Sequence, residues 1–178
     1  MRLTLHEHPH GVETEPGPRV VYDLERNEAS LGAARVSGPA LVWELGGDET
    51  GAALAAEVEL DPGSEWTVRC DRIDFPPGGI AHRHVHPGPG IRRLLHGRLT
   101  IDAGGVERTY GPGEAWFEGA EYPVLATASA SEDTAFVRVL LLPREWEGRR
   151  TIRYVDPADE DEPKLQRASV LLEEGLEL

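Results

Sequence analysis

Three histidines at alternate positions, His82, His84 and His86, form the pattern in this sequence with the clearest chemical meaning. In an extended strand successive side chains point to opposite faces, so this spacing places all three imidazoles on one face. Imidazole nitrogen is a common ligand of zinc, iron, nickel and copper. Histidines two residues apart lie about 6.7 Å apart along a strand and can share one metal ion, whereas the outer pair, about 13 Å apart, is near the limit of reach. One metal ion is therefore expected to take two of the three.

The elements that position these histidines are short apolar runs that recur from Arg19 onward between glycine, proline and aspartate clusters. Such spacing is typical of an all-β sandwich or barrel. Residues 52–59 fit a short helix or a strand equally well. The first 18 residues show no apolar period and are expected to form a surface arm, with residues 19–155 as the β-domain. Residues 156–178 are expected to be an acidic connector and an apolar tail that docks on the β-domain or on a neighbouring subunit.

Composition narrows the class of function. The chain has 18 basic and 32 acidic residues and a net charge of −14, which disfavours nucleic acid and membrane surfaces as partners. It shows no membrane span and no apolar signal core, so a cytoplasmic location is expected. A single cysteine, Cys70, excludes an intramolecular disulfide and a multi-cysteine zinc site. The patterns of a serine nucleophile elbow, a P-loop and an H-E-x-x-H helix are absent from the sequence.

One segment resembles the first motif of the cupin superfamily, G-x5-H-x-H-x3-E-x6-G. Gly78, His84, His86 and Gly97 reproduce its spacing in full. Gly90 stands where the family has a metal-binding glutamate. The resemblance is therefore complete in spacing and lacks one metal ligand.

The second cupin motif, G-x5-P-x-G-x2-H-x3-N, is eroded here. It begins at Gly113, but Val124 occupies the slot of the last metal-binding histidine. The resemblance covers residues 65–142. It implies a single-domain, RmlC-like jelly-roll β-barrel with the histidine pair pointing into its mouth and a cavity for one small ligand. It also implies a homodimer, because cupins usually pair and the apolar tail would otherwise lie in water.

The resemblance implies a divalent metal, either zinc, iron, nickel or manganese. His84 and His86 are the expected centre of the site, with His82 contributing less and Glu118 as a substitute carboxylate ligand. The alternative is a degenerate cupin in which the two histidines make hydrogen bonds inside a binding cavity without a metal ion.

Three further residues are predicted to bind a substrate. Arg92 shares the inward face of its strand with Gly90, and a buried guanidinium is costly unless it is paired. It is expected to bind a carboxylate, either an internal one such as Glu118 or that of the ligand. Trp116 and Tyr122 are expected to stack on the ligand if their strand keeps the register of the missing histidine; the alternative is that they belong to the core.

Two functions follow from the resemblance. The first is a metal-dependent enzyme, such as a dioxygenase, isomerase or cyclase, that acts on a small and anionic molecule. The second is a non-catalytic module that binds or senses a small molecule without a functional metal. The fold does not choose between them, and the sequence assigns no catalytic residue.

Overall fold

Residues 1–60 contain a sheet of their own, and one of its strands lies within residues 1–18, which the sequence led us to expect as a surface arm. The computed structural model describes residues 1–177. Its first seven strands are β1 (Arg2–His8), β2 (Val12–Thr14), β3 (Arg19–Asp23), β4 (Glu28–Leu31), β5 (Ala34–Val36), β6 (Ala40–Leu45) and β7 (Leu54–Glu57). An antiparallel sheet of order β4-β3-β6-β1-β7, here called the N-terminal sheet, contains β1 next to its centre, and β2 pairs with β5 as a separate ribbon. Residues 1–18 are not a loose arm, because Leu3 and Leu5 of β1 are fully buried in the core.

The next eight strands form the jelly roll. They are β8 (Trp66–Phe75), β9 (Ile80–Val85), β10 (Gly90–His96), β11 (Leu99–Ala103), β12 (Val106–Tyr110), β13 (Ala115–Glu118), β14 (Val124–Ala128) and β15 (Thr134–Pro143). The middle sheet has the order β13-β10-β15-β8, and the third sheet has the order β12-β11-β14-β9. This alternation of consecutive strands between two sheets is the jelly-roll arrangement. The all-β prediction is confirmed, but the sheets remain separate, so the unit is a sandwich and not a closed barrel.

The C-terminal part of the chain closes one edge of the sandwich. It contains two 3₁₀ helices and two strands, which are Arg144–Trp146, β16 (Arg153–Tyr154), Pro157–Glu160 and β17 (Arg167–Leu176). β16 pairs with β9 of the third sheet, and β17 pairs with β8 of the middle sheet. Residues 144–166, here called the crossover segment, therefore run from one sheet to the other and back. The apolar tail docks on its own chain, which was one of the two expected alternatives.

Within residues 1–177, neither helix is long and apolar enough to cross a membrane.

The middle sheet is buried on both faces. One apolar cluster joins it to the N-terminal sheet and includes Trp43, Cys70 and Val139. A second cluster joins it to the third sheet and includes Trp116 and Phe136. A strand covered on both faces needs an unbroken apolar run, and β15 has nine consecutive buried residues. The rigid middle layer holds the inward side chains of β8, β10 and β15 in fixed register.

Candidate functional site

A cavity of about 190 Å³ lies between the middle sheet and the third sheet, and the crossover segment forms part of its wall. Apolar and aromatic side chains line it, among them Phe75, Trp116 and Phe136. Polar side chains line it as well, among them His84, His86, Arg92, Glu118 and Arg138. Five of the seven residues predicted from the sequence therefore meet here, whereas His82 and Tyr122 do not.

The three histidines, two on β9 and His86 directly after it, do not all share one face. His84 and His86 are buried, and their ring centroids lie 4.9 Å apart in an edge-on arrangement. His82 lies outside the cavity with its Nδ1 3.6 Å from Oδ1 of Asp159. The pairing of β9 with β14 explains this, because its register shifts between Ala81 and His84. An irregularity of this kind breaks the alternation on which the prediction for three histidines depended.

His86 has both ring nitrogens engaged in hydrogen bonds. Nδ1 donates to the carbonyl oxygen of Thr151 at 3.0 Å, and Nε2 accepts from Nη1 of Arg138 at 3.1 Å. Burial and the neighbouring guanidinium groups of Arg138 and Arg92 hold the pKa of His86 well below its ordinary value. The imidazole is therefore neutral at pH 7, as its role of acceptor from an arginine requires.

His84 keeps one nitrogen free. Its Nδ1 donates to the carbonyl oxygen of His82 at 2.7 Å, and Nε2 has no hydrogen-bond partner within residues 1–177. Burial lowers the pKa of His84, and Glu118 opposes this effect. The neutral ring thus presents a lone pair at the cavity.

A buried charge network holds the polar side of the cavity together. Arg138 of β15 lies opposite Asp71 of β8 in the strand register, and its Nη2 donates to Oδ2 of Asp71 at 2.9 Å. The other oxygen of Asp71 accepts from Nε of Arg69 at 2.8 Å. Arg69 also lies 3.3 Å from Glu173 of β17, which ties the C-terminal strand to the network. Two guanidinium groups therefore share one fully buried carboxylate, and Glu173 supplies the second negative charge.

Sequence reasoning missed this network, although two signals for it exist. Arg138 is the only charged residue in the apolar strand Thr134–Pro143. Arg69 and Asp71 alternate on β8 in the same way as the histidines were expected to alternate on β9. A charged residue within a strand that is otherwise apolar needs a buried partner, and Asp71 is that partner.

Arg92 is paired internally, as one of the two alternatives predicted. Its Nη2 lies 2.8 Å from Oε2 of Glu118, and its Nη1 donates to the carbonyl oxygen of Gly90 at 2.7 Å. The other oxygen of Glu118 accepts from Nε1 of Trp116 at 2.7 Å. Burial lowers the pKa of Arg92 to about 10, which still leaves the guanidinium cationic at neutral pH. Nη2 is at ion-pair distance from Glu118 but makes no directed hydrogen bond within residues 1–177.

Gly90 lies where two strands approach closely. A Cβ atom at this position would be 2.1 Å from the carbonyl oxygen of Val139 on β15. Contacts below 3.0 Å are essentially never seen for real Cβ atoms. The glutamate of the cupin motif therefore has no space at position 90 without a movement of the backbone.

Trp116 and Tyr122 have different surroundings. Trp116 is buried in the cavity wall, where it stacks on Tyr110 with ring centroids 4.7 Å apart and meets Phe136 edge-on. Tyr122 is half-exposed and lines a separate surface groove. β13 ends at Glu118, and a turn with a left-handed residue, Glu121, follows, so strand alternation does not extend to position 122. The structure therefore does not support the expectation that Tyr122 stacks on a ligand in the cavity.

No protein-family model and no curated protein sequence matches this chain. Among solved structures, the polyketide cyclase RemF from Streptomyces resistomycificus matches with a TM-score of 0.41 and 20% identity, over 53% of this chain and 63% of that protein. An RmlC-like cupin from Shewanella frigidimarina matches with a TM-score of 0.40 and 17% identity, over 50% of this chain and 86% of that one. A Cupin 2 conserved barrel domain protein from Salinispora arenicola matches with a TM-score of 0.40 and 14% identity, over 50% of this chain and 83% of that one. The chain thus spans less than two thirds of the length of the cyclase.

The strand order and the first motif together decide the assignment of the fold. The two sheets have the jelly-roll order, and Gly78, His84, His86 and Gly97 stand at the positions of the cupin motif. The chain folds as a jelly roll that resembles the cupins. This cupin-like jelly roll carries two additions, the N-terminal sheet on its outer face and β17 at its edge.

The donor groups of the cupin-like cavity do not fit a divalent metal ion as they are arranged. Within residues 1–177, no group of three or more His, Cys, Asp or Glu side chains is placed to hold one. His86 has no free lone pair, Glu118 has both oxygens engaged, and His82 lies outside the cavity. Of the four predicted metal ligands, only His84 presents an unused donor nitrogen. The metal site remains a prediction from the resemblance.

Proposed function

We propose that this protein binds a small organic carboxylate in the cavity between the middle and third sheets. The observation that carries the proposal is the state of Arg92. Its guanidinium is fully buried and lines the cavity, and Nη2 makes no directed hydrogen bond although it lies 2.8 Å from Oε2 of Glu118. Nearly all buried polar groups in proteins have a hydrogen-bond partner, and a carboxylate is the acceptor that a guanidinium binds most strongly.

The remaining walls favour an apolar, planar body for this ligand. Phe75, Trp116 and Phe136 contribute aromatic rings to the cavity. Aromatic rings gain most from offset or edge-on contacts with other flat groups. The volume of about 190 Å³ is below the range of about 300–1,000 Å³ of cavities for drug-sized ligands, so the ligand is a small molecule.

Of the two functions that the sequence suggests, a binding module without a metal agrees best with these contacts. Three of the four residues predicted as metal ligands are engaged in other interactions or lie outside the cavity. The anion-binding side of the cavity does not depend on them as ligands, because its positive charge comes from basic side chains, namely Arg69, Arg92, Arg138, Arg150 and Lys164.

A binding experiment with matched probes tests the proposal. Benzoate and cinnamate are compared with benzamide and cinnamamide, which have the same shape without the charge, by thermal shift and by calorimetry. We expect the carboxylates to raise the melting temperature and the amides to leave it unchanged. Replacing Arg92 together with its partner, as Arg92→Met with Glu118→Gln, should weaken carboxylate binding roughly 10- to 100-fold, the value of a hydrogen bond between charged groups.

The control is Arg98→Met, because Arg98 has a largely exposed side chain. Its carboxylate affinity should equal that of the wild type. Equal stabilisation by amides and carboxylates would show that Arg92 serves only as scaffold, and the proposal would fail.

A further inference from the structure

We propose that the guanidinium of Arg138 takes, beside His86, the place of the metal ion that the cupin motif implies, so that this cavity binds anions through arginines and recruits no metal. The part about the metal does not depend on the proposed function. The part about the anion rests on the proposed function.

The first argument is competition for one lone pair. Nη1 of Arg138 donates to Nε2 of His86 at 3.1 Å, while Nδ1 of His86 is engaged with the carbonyl oxygen of Thr151. A metal ion would need the same Nε2 lone pair at about 2.0–2.1 Å. The two cations cannot share it, so binding of a metal requires Arg138 to leave.

The second argument is that Arg138 is fixed in place. Two of its nitrogens, Nε and Nη2, donate to Oδ2 of Asp71 at 3.1 and 2.9 Å, and Nη2 also donates to Oγ1 of Thr151 at 3.2 Å. Asp71 has no solvent exposure. Moving Arg138 away from His86 would leave a buried carboxylate with one guanidinium instead of two.

The third argument is that the other departures from the cupin motif also disfavour a metal ion. The family's glutamate is absent, and the 2.1 Å approach of Val139 leaves no space for any side chain at Gly90. Glu118, the nearest substitute, is paired with Arg92 at 2.8 Å. The cavity thus lacks the acidic metal ligand of the motif and is lined by three buried arginines, Arg69, Arg92 and Arg138. Both changes favour an anion over a cation.

The experiment is a metal titration of untagged protein. Zn²⁺ binding is followed by calorimetry and Co²⁺ binding by its visible absorption, for the wild type and for His84→Ala. We expect the two proteins to bind the same amount of metal, because the cavity holds none in either protein. Any ion bound elsewhere, for example at His6 and His8 of β1, is unaffected by the substitution. One equivalent of metal in the wild type that is lost in His84→Ala would overturn the inference.

The second measurement tests whether removing Arg138 creates metal binding. Arg138→Met frees Nε2 of His86, whose ring centroid lies 4.9 Å from that of His84. We expect this variant to bind Co²⁺ roughly 10- to 100-fold more tightly than the wild type, the scale on which groups around a metal ligand alter affinity. Arg98→Met, a surface arginine, should show no gain. Should Arg138→Met fail to fold, the comparison of wild type with His84→Ala still decides the question.

A chelator distinguishes anion binding through arginines from anion binding through a metal ion. Benzoate binding to the wild type should be the same with and without EDTA. Benzoate binding that disappears with EDTA would overturn this inference while the proposed function stands. If benzoate and cinnamate fail to bind at all and metal is also not bound, the proposed function fails and the displacement of the metal by Arg138 stands.

Discussion

Removing the charge of Asp71 should destabilise the protein more than any other single conservative change in the cavity. Its two oxygens accept from Arg69 at 2.8 Å and from Arg138 at 2.9 Å, and the side chain has no solvent exposure. Asp71→Asn keeps the shape but leaves two buried guanidinium groups without their shared carboxylate. Breaking a buried ion pair by removing one partner costs about 3–5 kcal/mol, and the loss is expected in this range, because Arg138 loses its carboxylate partner whereas Arg69 keeps Glu173.

This loss of stability can be measured as a fall in the melting temperature. For a chain of 178 residues, each kcal/mol lowers the melting temperature by about 2–4 °C, so Asp71→Asn should lower it by about 6–20 °C. Urea denaturation followed by tryptophan fluorescence gives the free energy of unfolding directly. The m-value should stay unchanged, because the change affects the native state and not the surface exposed on unfolding.

The matched control is Asp102→Asn. Asp102 is paired with Arg83 in a partly exposed position, and surface ion pairs contribute about 0–1 kcal/mol. The double variant Asp71→Asn with Arg138→Met should recover part of the lost stability, because it removes one stranded cation. If Asp71→Asn loses less than about 1 kcal/mol at constant m-value, the buried network does not hold the site together and our reasoning is refuted.

Two further predictions concern positions where the structure departs from the cupin motif or from strand alternation. Gly90→Ala places a Cβ 2.1 Å from the carbonyl oxygen of Val139 and should lower the free energy of unfolding by about 1–3 kcal/mol in urea denaturation. Gly119→Ala, whose nearest contact would be at 3.9 Å, should lower it much less. Equal losses would contradict the close approach of the strands. Tyr122→Ala should leave both benzoate affinity and stability within about 0.5 kcal/mol of the wild type, since Tyr122 lies outside the cavity. Loss of benzoate binding in this variant would show that the groove and the cavity act as one site.

The fold class and part of the site could be predicted because the signals are local. Turn residues and apolar alternation report the conformation of a few neighbouring residues, so the strands of the jelly roll could be identified in advance. The same alternation correctly placed Arg92 and Trp116 on the cavity. It failed for His82, where the register of β9 shifts, and for Tyr122, where the strand had already ended.

The N-terminal sheet could not be predicted from residues 1–18. β1 has only seven residues, and its two buried leucines, Leu3 and Leu5, are surrounded by charged residues and histidines that resemble a solvated tail. Its burial depends on pairing with β6, about 40 residues later, and on packing against the outer face of the middle sheet. The homodimer stays a prediction, and one argument for it is weaker, because Leu171 and Leu172 of the tail pack on the core of their own chain.

The sequence by itself determined the fold class through its recurring turn signals, and alternation along β10 placed Arg92 inward. The resemblance to the cupin motif implied the inward pair His84 and His86. Only the tertiary structure decided what these groups do. The partners of the central contact, Asp71 and Arg138, are 67 residues apart and meet only when β8 and β15 pair in one register. Such a contact is set by sheet registry and burial, which no local pattern encodes. Once formed, it places a guanidinium on the histidine nitrogen that the motif alone would have given to a metal.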